Sequence, residues 1–250
     1  MIQQSTLCPP AILSRTLPLP PSVCGADKHL STHGAFALLV DAAAAHSELI
    51  GTGCAAMAER RLFWLMTRAR IRFHARPSMM EEITVTTWPK APRHYLCDRF
   101  YTVTEEGHLL LEGRQEWAVL SLESGRPIRT EEIYPTVLHP TAAAVIPEPY
   151  TRMRDLLEPS DAVLTHTVTS SDIDFGGHVT NALYPRMLCD SFSTAEQAEH
   201  RFREAELQYL TPCYEGEELT VLRRATDEGF LLSIRKGSGE TAVLARFLTK

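Results

Sequence analysis

One order of elements, a helix followed by several strands, occurs twice along this 250-residue chain and constrains the fold more than any single motif. In the first copy, Ser31 or Thr32 caps a predicted helix over residues 34–49, where apolar side chains recur at helical spacing. Such a helix must bury its apolar stripe against a sheet. Proline and glycine turns separate the predicted strands that follow, at residues 62–76, 82–88, 95–104 and 108–122.

The second copy repeats this order with little similarity of sequence. An extended run at residues 162–169 precedes a predicted helix over residues 181–199. Antiparallel strands that cover one helix with one face give a sheet wrapped around that helix, which is the hotdog arrangement. The order therefore predicts an α+β double hotdog of two tandem units, each with an antiparallel sheet wrapped around a long helix. The remaining strands of the second unit are predicted at residues 202–210, 218–225, 230–235 and 241–249.

A proline-rich stretch divides the two copies. It carries Pro135, Pro140, Pro147, Pro149 and Pro159 around a run of alanines, which is typical of a connection over the surface. We therefore expect an N-terminal hotdog over residues 1–134, a linker over 135–159 and a C-terminal hotdog over 160–250. Hotdog units pair, so the two copies are expected to pair within the chain and to hold a ligand between them. A homodimer is left open as a further assembly.

Charge and composition exclude several classes of function. The chain has 25 Lys and Arg against 31 Asp and Glu, a formal net charge of −6, so no overall charge favours nucleic acid or an anionic membrane. Its 6 cysteines include no Cys-x-x-Cys pair, the N-terminus lacks signal-peptide features, and no run of about 18 apolar residues predicts a membrane span. We expect a cytoplasmic protein that needs no cofactor.

The segment from Ser171 to Tyr184 (SDIDFGGHVTNALY) is the strongest candidate for chemistry, since it lies between a predicted strand and a predicted helix. Asp174 could orient or activate water, and His178 could move a proton. Backbone amides of Gly176, Gly177 and Val179 are predicted to hold a developing oxyanion near the start of the helix. These groups suit the hydrolysis of a thioester. The alternatives are an aspartate that only caps a turn, or a metal site for which no further ligand cluster is present.

Two residues near this segment are secondary candidates. Pro185 is tolerated only in the first turn of a helix, so the helix is predicted to begin at about Asn181, with Thr180 or Asn181 as its cap. Cys213 could act as a nucleophile if His178 lowered the pKa of its thiol. A packed, inert cysteine is the alternative interpretation.

A run of alternating arginines forms the second constellation. Arg68, Arg70 and Arg72 share one face of a predicted strand, while apolar side chains fill the other face. Such a basic ridge could bind the phosphate of a phosphopantetheine arm or an acidic carrier protein. The alternative is cross-strand pairing with the carboxylates of Glu81, Glu82 or Glu116.

The order and spacing of the motifs resemble the acyl-acyl carrier protein (acyl-ACP) thioesterases of plants and bacteria, which are double-hotdog hydrolases. The resemblance covers most of the chain, from about residue 17 to 247. It implies hydrolysis of an acyl-ACP thioester to a free fatty acid in fatty acid biosynthesis, with acyl carrier protein as the partner. The similar segments are residues 46–51 (HSELIG), 64–68 (WLMTR), 82–89 (EITVTTWP), 117–122 (WAVLSL) and 172–181 (DIDFGGHVTN).

The resemblance also implies a set of site residues in the second unit. The family places Asp, Asn, His and Glu at positions that correspond here to Asp174, Gly176, His178 and Pro212, and a cysteine at Cys213. Two of these four polar groups are therefore replaced, which implies a slower enzyme. The alternative is a degraded double hotdog that binds acyl chains or acyl carrier protein without hydrolysis. The first unit is expected to support the site and shape the acyl tunnel.

Overall fold

The computed structural model describes residues 10–134 and 143–249 of the chain. Its first half contains a long helix and a meander of long strands, as the sequence pattern predicts, and also a short helix. The short helix, which follows Gly53, was not predicted. The elements of this half are β1 (Leu13–Pro18), α1 (Thr32–Leu49), α2 (Cys54–Glu59), β2 (Leu62–Phe73), β3 (Glu82–Pro89), β4 (Leu96–Glu105), β5 (His108–Ser121) and β6 (Pro127–Ile128).

The second half repeats the strand, helix and meander order. Its strands lie within a few residues of the predicted runs. The elements are β7 (Ala162–Thr167), α3 (Leu183–Asp190), α4 (Thr194–His200), β8 (Glu204–Tyr209), β9 (Glu218–Thr226), β10 (Gly229–Lys236) and β11 (Thr241–Leu248).

The strands of both halves form one antiparallel sheet. Its order is β1-β3-β4-β5-β2-β8-β11-β10-β9-β7, and β6 pairs with β5. The first five strands and the last five have the same internal order when each half is read from its outer edge, so the chain folds twice in the same way. Pairing of β2 with β8 joins the halves, with Arg70 opposite Glu206. This arrangement confirms the α+β double hotdog.

Helix α1 packs closely against the sheet of the first half. The side-chain oxygen of Ser31 accepts a hydrogen bond from the Gly34 amide at 3.0 Å, which satisfies one unpaired donor at the start of the helix. Leu39, which is fully buried, lies against Gly113 of β5. A Cβ atom at position 113 would be 2.4 Å from Leu39 Cδ1, so only glycine lets the helix come this near.

The predicted helix over residues 181–199 is wrong in extent, because two short helices take its place. Helix α3 ends at Asp190, and α4 begins after Ser193. Ser193 Oγ accepts from the Glu196 amide at 3.2 Å, while Glu196 accepts from the Ser193 amide at 2.7 Å. This reciprocal pair is a capping box, which starts a new helix where a periodic pattern indicates continuation.

The connection between the halves lies along the outer face of the sheet. Its described part, from residue 143, is held by arginines of β2 and β5: Arg70 donates to the Pro149 carbonyl at 2.9 Å, and Arg68 donates to the Thr151 carbonyl at 3.1 Å. The Arg114 guanidinium lies 4.5 Å from the centre of the Tyr150 ring. Residues 135–142 of the predicted linker lie outside the described residues, and the domain boundaries at 134 and 160 stay predictions.

Candidate active site

A cavity of about 370 Å³ lies between the two halves, and both contribute to its wall. Most of the wall is apolar and comes from α1, α2 and β2 of the first half. The second half adds the loop that joins β7 to α3. A cavity of this size and lining suits a mainly hydrocarbon ligand. The apolar lining includes Val40, Ala43, Met57, Leu62, Phe63 and Trp64, and the loop contributes Asp174, Phe175, Gly176, Thr180 and Asn181.

A tight turn in this loop brings Asp174 and His178 side by side. The Asp174 amide donates to the His178 carbonyl at 2.9 Å, and Ile173 forms a β-bridge with Val179. Gly177 has a φ angle of 76°, a left-handed conformation that glycine adopts without a steric penalty. The turn thus fixes the two predicted catalytic residues at the start of α3.

Asp174 reaches the cavity with one oxygen engaged. Its Oδ1 accepts a hydrogen bond from the Gly176 amide at 2.8 Å, which orients the carboxylate. Its Oδ2 has no hydrogen-bond partner among residues 10–134 and 143–249. A carboxylate held on one oxygen in this way has the other available for a water or substrate.

His178 is held by aromatic rings. Its imidazole lies 5.8 Å from the Phe63 ring and 5.1 Å from the Tyr214 ring, measured between centroids. Its Nδ1 is buried and makes no hydrogen bond within the described part of the chain. The imidazole of His178 is therefore positioned by packing and has an unused nitrogen, but His178 is not among the residues that line the cavity.

The three backbone amides that were predicted to hold an oxyanion all have acceptors within the protein. The Gly176 amide donates to Asp174 Oδ1, the Gly177 amide to the Asp174 carbonyl at 3.0 Å, and the Val179 amide to the Cys213 carbonyl at 2.9 Å. These hydrogen bonds hold the turn and tie it to the chain after β8. An amide that is already bonded must give up that bond before it can stabilise new charge.

Asn181 is better placed than the sequence indicates. Helix α3 begins at Leu183, later than predicted, so Asn181 lies in the turn before the helix and lines the same cavity as Asp174. Its carboxamide can both donate and accept hydrogen bonds. Asn181 therefore supplies a side-chain carboxamide at the cavity, whereas Gly176 has no side chain to supply one.

Phe63 occupies the space that a side chain at position 176 would need. A Cβ atom built on Gly176 would be 2.6 Å from Phe63 Cε2 and 3.0 Å from Asp174 Oδ1. The ring therefore fits against a glycine, contacts His178 and lines the cavity. Sequence reasoning missed Phe63, because nothing in the local pattern of β2 relates it to a loop more than one hundred residues later.

Cys213 does not have the environment of a nucleophile. The residue is fully buried, its carbonyl is bonded to the Val179 amide, and burial raises the pKa of its thiol. A raised pKa leaves less of the reactive thiolate at neutral pH. The burial and packing of Cys213 fit the inert interpretation of this residue.

The neighbouring Pro212 provides no acidic group. Its carbonyl accepts a hydrogen bond from Lys236 Nζ at 3.1 Å.

The arginines of β2 are engaged within the protein. Arg70 is 3% exposed and Glu206 is fully buried, and their side chains are bonded at 2.6 Å. Arg72 donates to Glu204 at 2.9 Å. The partners are thus on β8, so the predicted alternatives Glu81, Glu82 and Glu116 are wrong for Arg70 and Arg72. A carrier-protein contact by Arg70 is wrong as well, because its guanidinium is buried; for Arg68 and Arg72 that contact stays a prediction.

The described residues contain neither a candidate metal centre nor a candidate membrane span. Within residues 10–134 and 143–249, no group of three or more His, Cys, Asp or Glu residues is arranged to hold a metal ion. No helix in the same ranges is long and apolar enough to cross a membrane.

Solved structures with the same architecture include two that are described as acyl-ACP thioesterases. An acyl-ACP thioesterase from Bacteroides thetaiotaomicron is 22% identical, with a TM-score of 0.82 over 95% of this chain and 97% of that one. The 12:0-ACP thioesterase from Umbellularia californica is 18% identical, with a TM-score of 0.79 over 96% of this chain and 97% of that one. At these identities the likeness establishes the fold, which places the chain among double-hotdog proteins.

The family is established by the sequence itself. Residues 14–136 match the acyl-ACP thioesterase N-terminal domain, and residues 158–248 match the C-terminal domain. The chain therefore belongs to the acyl-ACP thioesterase family and is a thioester hydrolase that acts on acyl-ACP. No curated protein gives a significant sequence match.

Proposed function

We propose that the chain hydrolyses acyl-ACP thioesters by direct attack of water, with Asp174 and His178 as the catalytic residues and Asn181 as the donor to the carbonyl. The observation that carries the proposal is Oδ2 of Asp174, which has no hydrogen-bond partner among the described residues and lies at a cavity whose wall is mostly apolar. The acyl chain lies along the apolar wall from the first half, while the thioester reaches the loop of the second half. The carrier protein stays outside the cavity.

The reaction needs one water and no covalent enzyme intermediate. Asp174 holds the water through Oδ2 and accepts a proton as the water oxygen attacks the thioester carbon. A tetrahedral oxyanion forms, and the Asn181 carboxamide stabilises it by a hydrogen bond. The carbon–sulfur bond then breaks. The proton that Asp174 accepted from the water is passed through His178 to the leaving sulfur, which departs as a thiol. The products are a fatty acid and the carrier protein with a free thiol.

The packing of His178 supports this role. A ring held between Phe63 and Tyr214 keeps its orientation without a hydrogen bond to Asp174, so the imidazole is free to bind and release a proton at the leaving sulfur. Replacement of the family's Asn and Glu by Gly176 and Pro212 is consistent with a lower rate. Loss of one positioned polar group costs about 10²- to 10³-fold in turnover.

We also propose a cytoplasmic location and a homodimer. The cytoplasmic location is supported by the cysteines of the described residues, which are free thiols and form no disulfide among themselves. The homodimer stays a proposal that light scattering of the purified chain would test.

The decisive experiment is turnover of acyl-ACP substrates of several chain lengths, measured by release of the carrier thiol. We expect Asp174→Asn to lower kcat by about 10²- to 10⁴-fold, and Asn181→Ala to lower it by about 10²-fold. Asp227→Asn, a change at an exposed aspartate in the turn between β9 and β10, is the matched control and should retain full activity.

Two results would contradict the proposal. Full activity in Asp174→Asn would remove the carboxylate from the mechanism. An absence of turnover in the native chain, with acyl-ACP still bound, would favour the binding protein that has lost its reaction.

A further inference from the structure

The buried wall of the cavity contains a cation that has no anionic partner. Arg99 lies on β4, is 2% exposed and lines the cavity together with the apolar side chains. Its guanidinium donates to His46 Nδ1 at 2.9 Å, to Thr87 Oγ1 at 3.4 Å and to Ser47 Oγ at 3.4 Å. No carboxylate of residues 10–134 or 143–249 pairs with it. The remaining residues of the chain include no Asp or Glu side chain.

The histidine beside Arg99 is neutral. His46 Nε2 is 2.7 Å from the Pro10 carbonyl, which can only accept, so Nε2 carries the hydrogen. Nδ1 must then accept the hydrogen bond from Arg99. The pKa of His46 is lowered, first by its burial and also by the neighbouring guanidinium, although the Pro10 contact opposes this shift. The pair therefore has one net positive charge at the cavity wall.

Two further polar atoms on the same wall lack partners. Trp117 Nε1 and Thr52 Oγ1 are both buried, both belong to cavity-lining residues, and neither has a hydrogen-bond partner within the described ranges. A plain hydrocarbon chain would leave these two groups without a hydrogen-bond partner and the guanidinium without an anion, which is costly in a buried site. The Arg114 guanidinium, in contrast, is paired with Asp98 at 2.9 Å. Arg99 is thus not an ordinary ion-paired arginine of this sheet.

We propose that the cavity selects an acyl chain that carries an oxygen group away from the thioester, with Arg99 as the residue that recognises it. A carboxylate would be the strongest ligand, because it neutralises the buried guanidinium and accepts its hydrogen bonds. A hydroxyl or keto oxygen would be weaker, since it accepts hydrogen bonds without charge. This inference rests on the proposed function, in which the same cavity holds the acyl chain during hydrolysis.

The carbonyl end of α1 also stabilises the positive charge at this wall. His46 and Ser47 belong to the last turn of α1, and the carbonyl end of a helix favours nearby cations. This contact stabilises the buried charge of Arg99 in the folded protein. It leaves the net charge in place, so an anion in the cavity still gains from it.

The test compares matched substrates on the native chain. Acyl-ACP thioesters with saturated chains of several lengths are compared with chains of equal length that end in a carboxylate or a hydroxyl. We expect kcat/KM at the best length to be at least about tenfold higher for the carboxylate-terminated chain. Arg99→Gln should abolish that ratio, and Arg99→Lys, which keeps the charge, should retain part of it.

A binding measurement keeps the inference testable if the Arg99 variants do not fold or if no substrate is hydrolysed. Titration calorimetry on the folded Asp174→Asn chain compares the monomethyl ester of a dicarboxylic acid with the methyl ester of the matched saturated acid. Tighter binding of the carboxylate-bearing ester supports the inference.

Equal or weaker binding of that ester, or equal kcat/KM for plain and carboxylate-terminated chains, would overturn it. Hydrolysis of plain chains that depends on Asp174 would then leave the proposed function intact. An absence of hydrolysis would instead contradict the proposed function, and the calorimetric pair would decide the inference alone.

Discussion

Replacing Gly176 by Asn, the residue that the family resemblance implies at this position, is expected to harm the protein. The new Cβ atom would be 2.6 Å from Phe63 Cε2, whereas carbon atoms pack best at about 3.5–4.0 Å. The Phe63 ring must therefore move by about 1 Å or more, and the space open to it is the cavity that it lines. That movement would also disturb the contact between Phe63 and His178.

The expected cost follows from this overlap. Overpacking costs about 1–3 kcal/mol, and the lower part of this range applies because Phe63 is only partly buried. A loss of about 1 kcal/mol corresponds to a decrease of about 2–4 °C in the Tm of a chain this long. We also expect kcat/KM to fall, since the displaced ring occupies the acyl cavity and no longer holds His178.

A double-mutant cycle checks the cause. Urea unfolding of Gly176→Asn, Phe63→Ala and the double variant should give a favourable coupling of about 0.5–3 kcal/mol, because removal of the ring relieves the overlap. Gly237→Asn is the matched control: its Cβ atom would be 3.8 Å from the nearest atom, the Glu218 carbonyl oxygen. If Gly176→Asn unfolds like the native chain, or costs the same with and without Phe63, the steric argument is refuted.

Three further outcomes are expected from single changes. Cys213→Ala should retain turnover within a few-fold of the native chain while losing some stability, because the thiol is packed and not reactive; a complete loss of activity in a folded variant would favour a cysteine nucleophile. Glu206→Ala should lower the free energy of unfolding by about 3 kcal/mol, since it removes the nearer carboxylate of the buried Arg70 and leaves only Glu204, at 3.8 Å, whereas Glu123→Ala, at an exposed ion pair, should cost less than about 1 kcal/mol; equal costs in urea unfolding would contradict this. The folded protein holds the pKa of His46 below its ordinary value of about 6.5, so the unfolded chain binds more protons than the folded one as the pH falls. The free energy of unfolding should therefore decrease below about pH 6.5, by up to about 1.4 kcal/mol per pH unit. His46→Gln should reduce that pH dependence, measured by urea unfolding at about pH 7.5 and 5.5.

Periodicity in the sequence predicted most of the elements. The α1 helix and the long strands β2 to β5 show clear apolar spacing between strong turn signals, so their positions follow from local patterns. The region from residue 181 to 200 was less accurate, because its pattern does not separate one long helix from two short ones. The reciprocal bonds between Ser193 and Glu196 mark the break, and the spacing of these two residues is the local signal that could have predicted it.

The site was predicted in part. The turn from Asp174 to His178 was found because glycines, an aspartate and a histidine lie close together in the sequence, and such a turn is local. The acceptors of the amides in that turn could not be predicted, since they depend on the folded turn and on Cys213, which follows α3, α4 and β8 in the chain. The roles of Phe63 and Asn181 depend on which residues face one cavity, and no local pattern reports that.

By itself the sequence determined the repeated α+β order, the family and the loop that carries Asp174 and His178, because helix and strand periods and tight turns are set by neighbouring residues. Tertiary structure alone decided that Arg70 pairs with Glu206, that Phe63 occupies the space beside Gly176, and that Arg99 faces the cavity without a carboxylate. These contacts join residues far apart in the chain. Their energies depend on burial and distance, which exist only once the two halves have packed against each other.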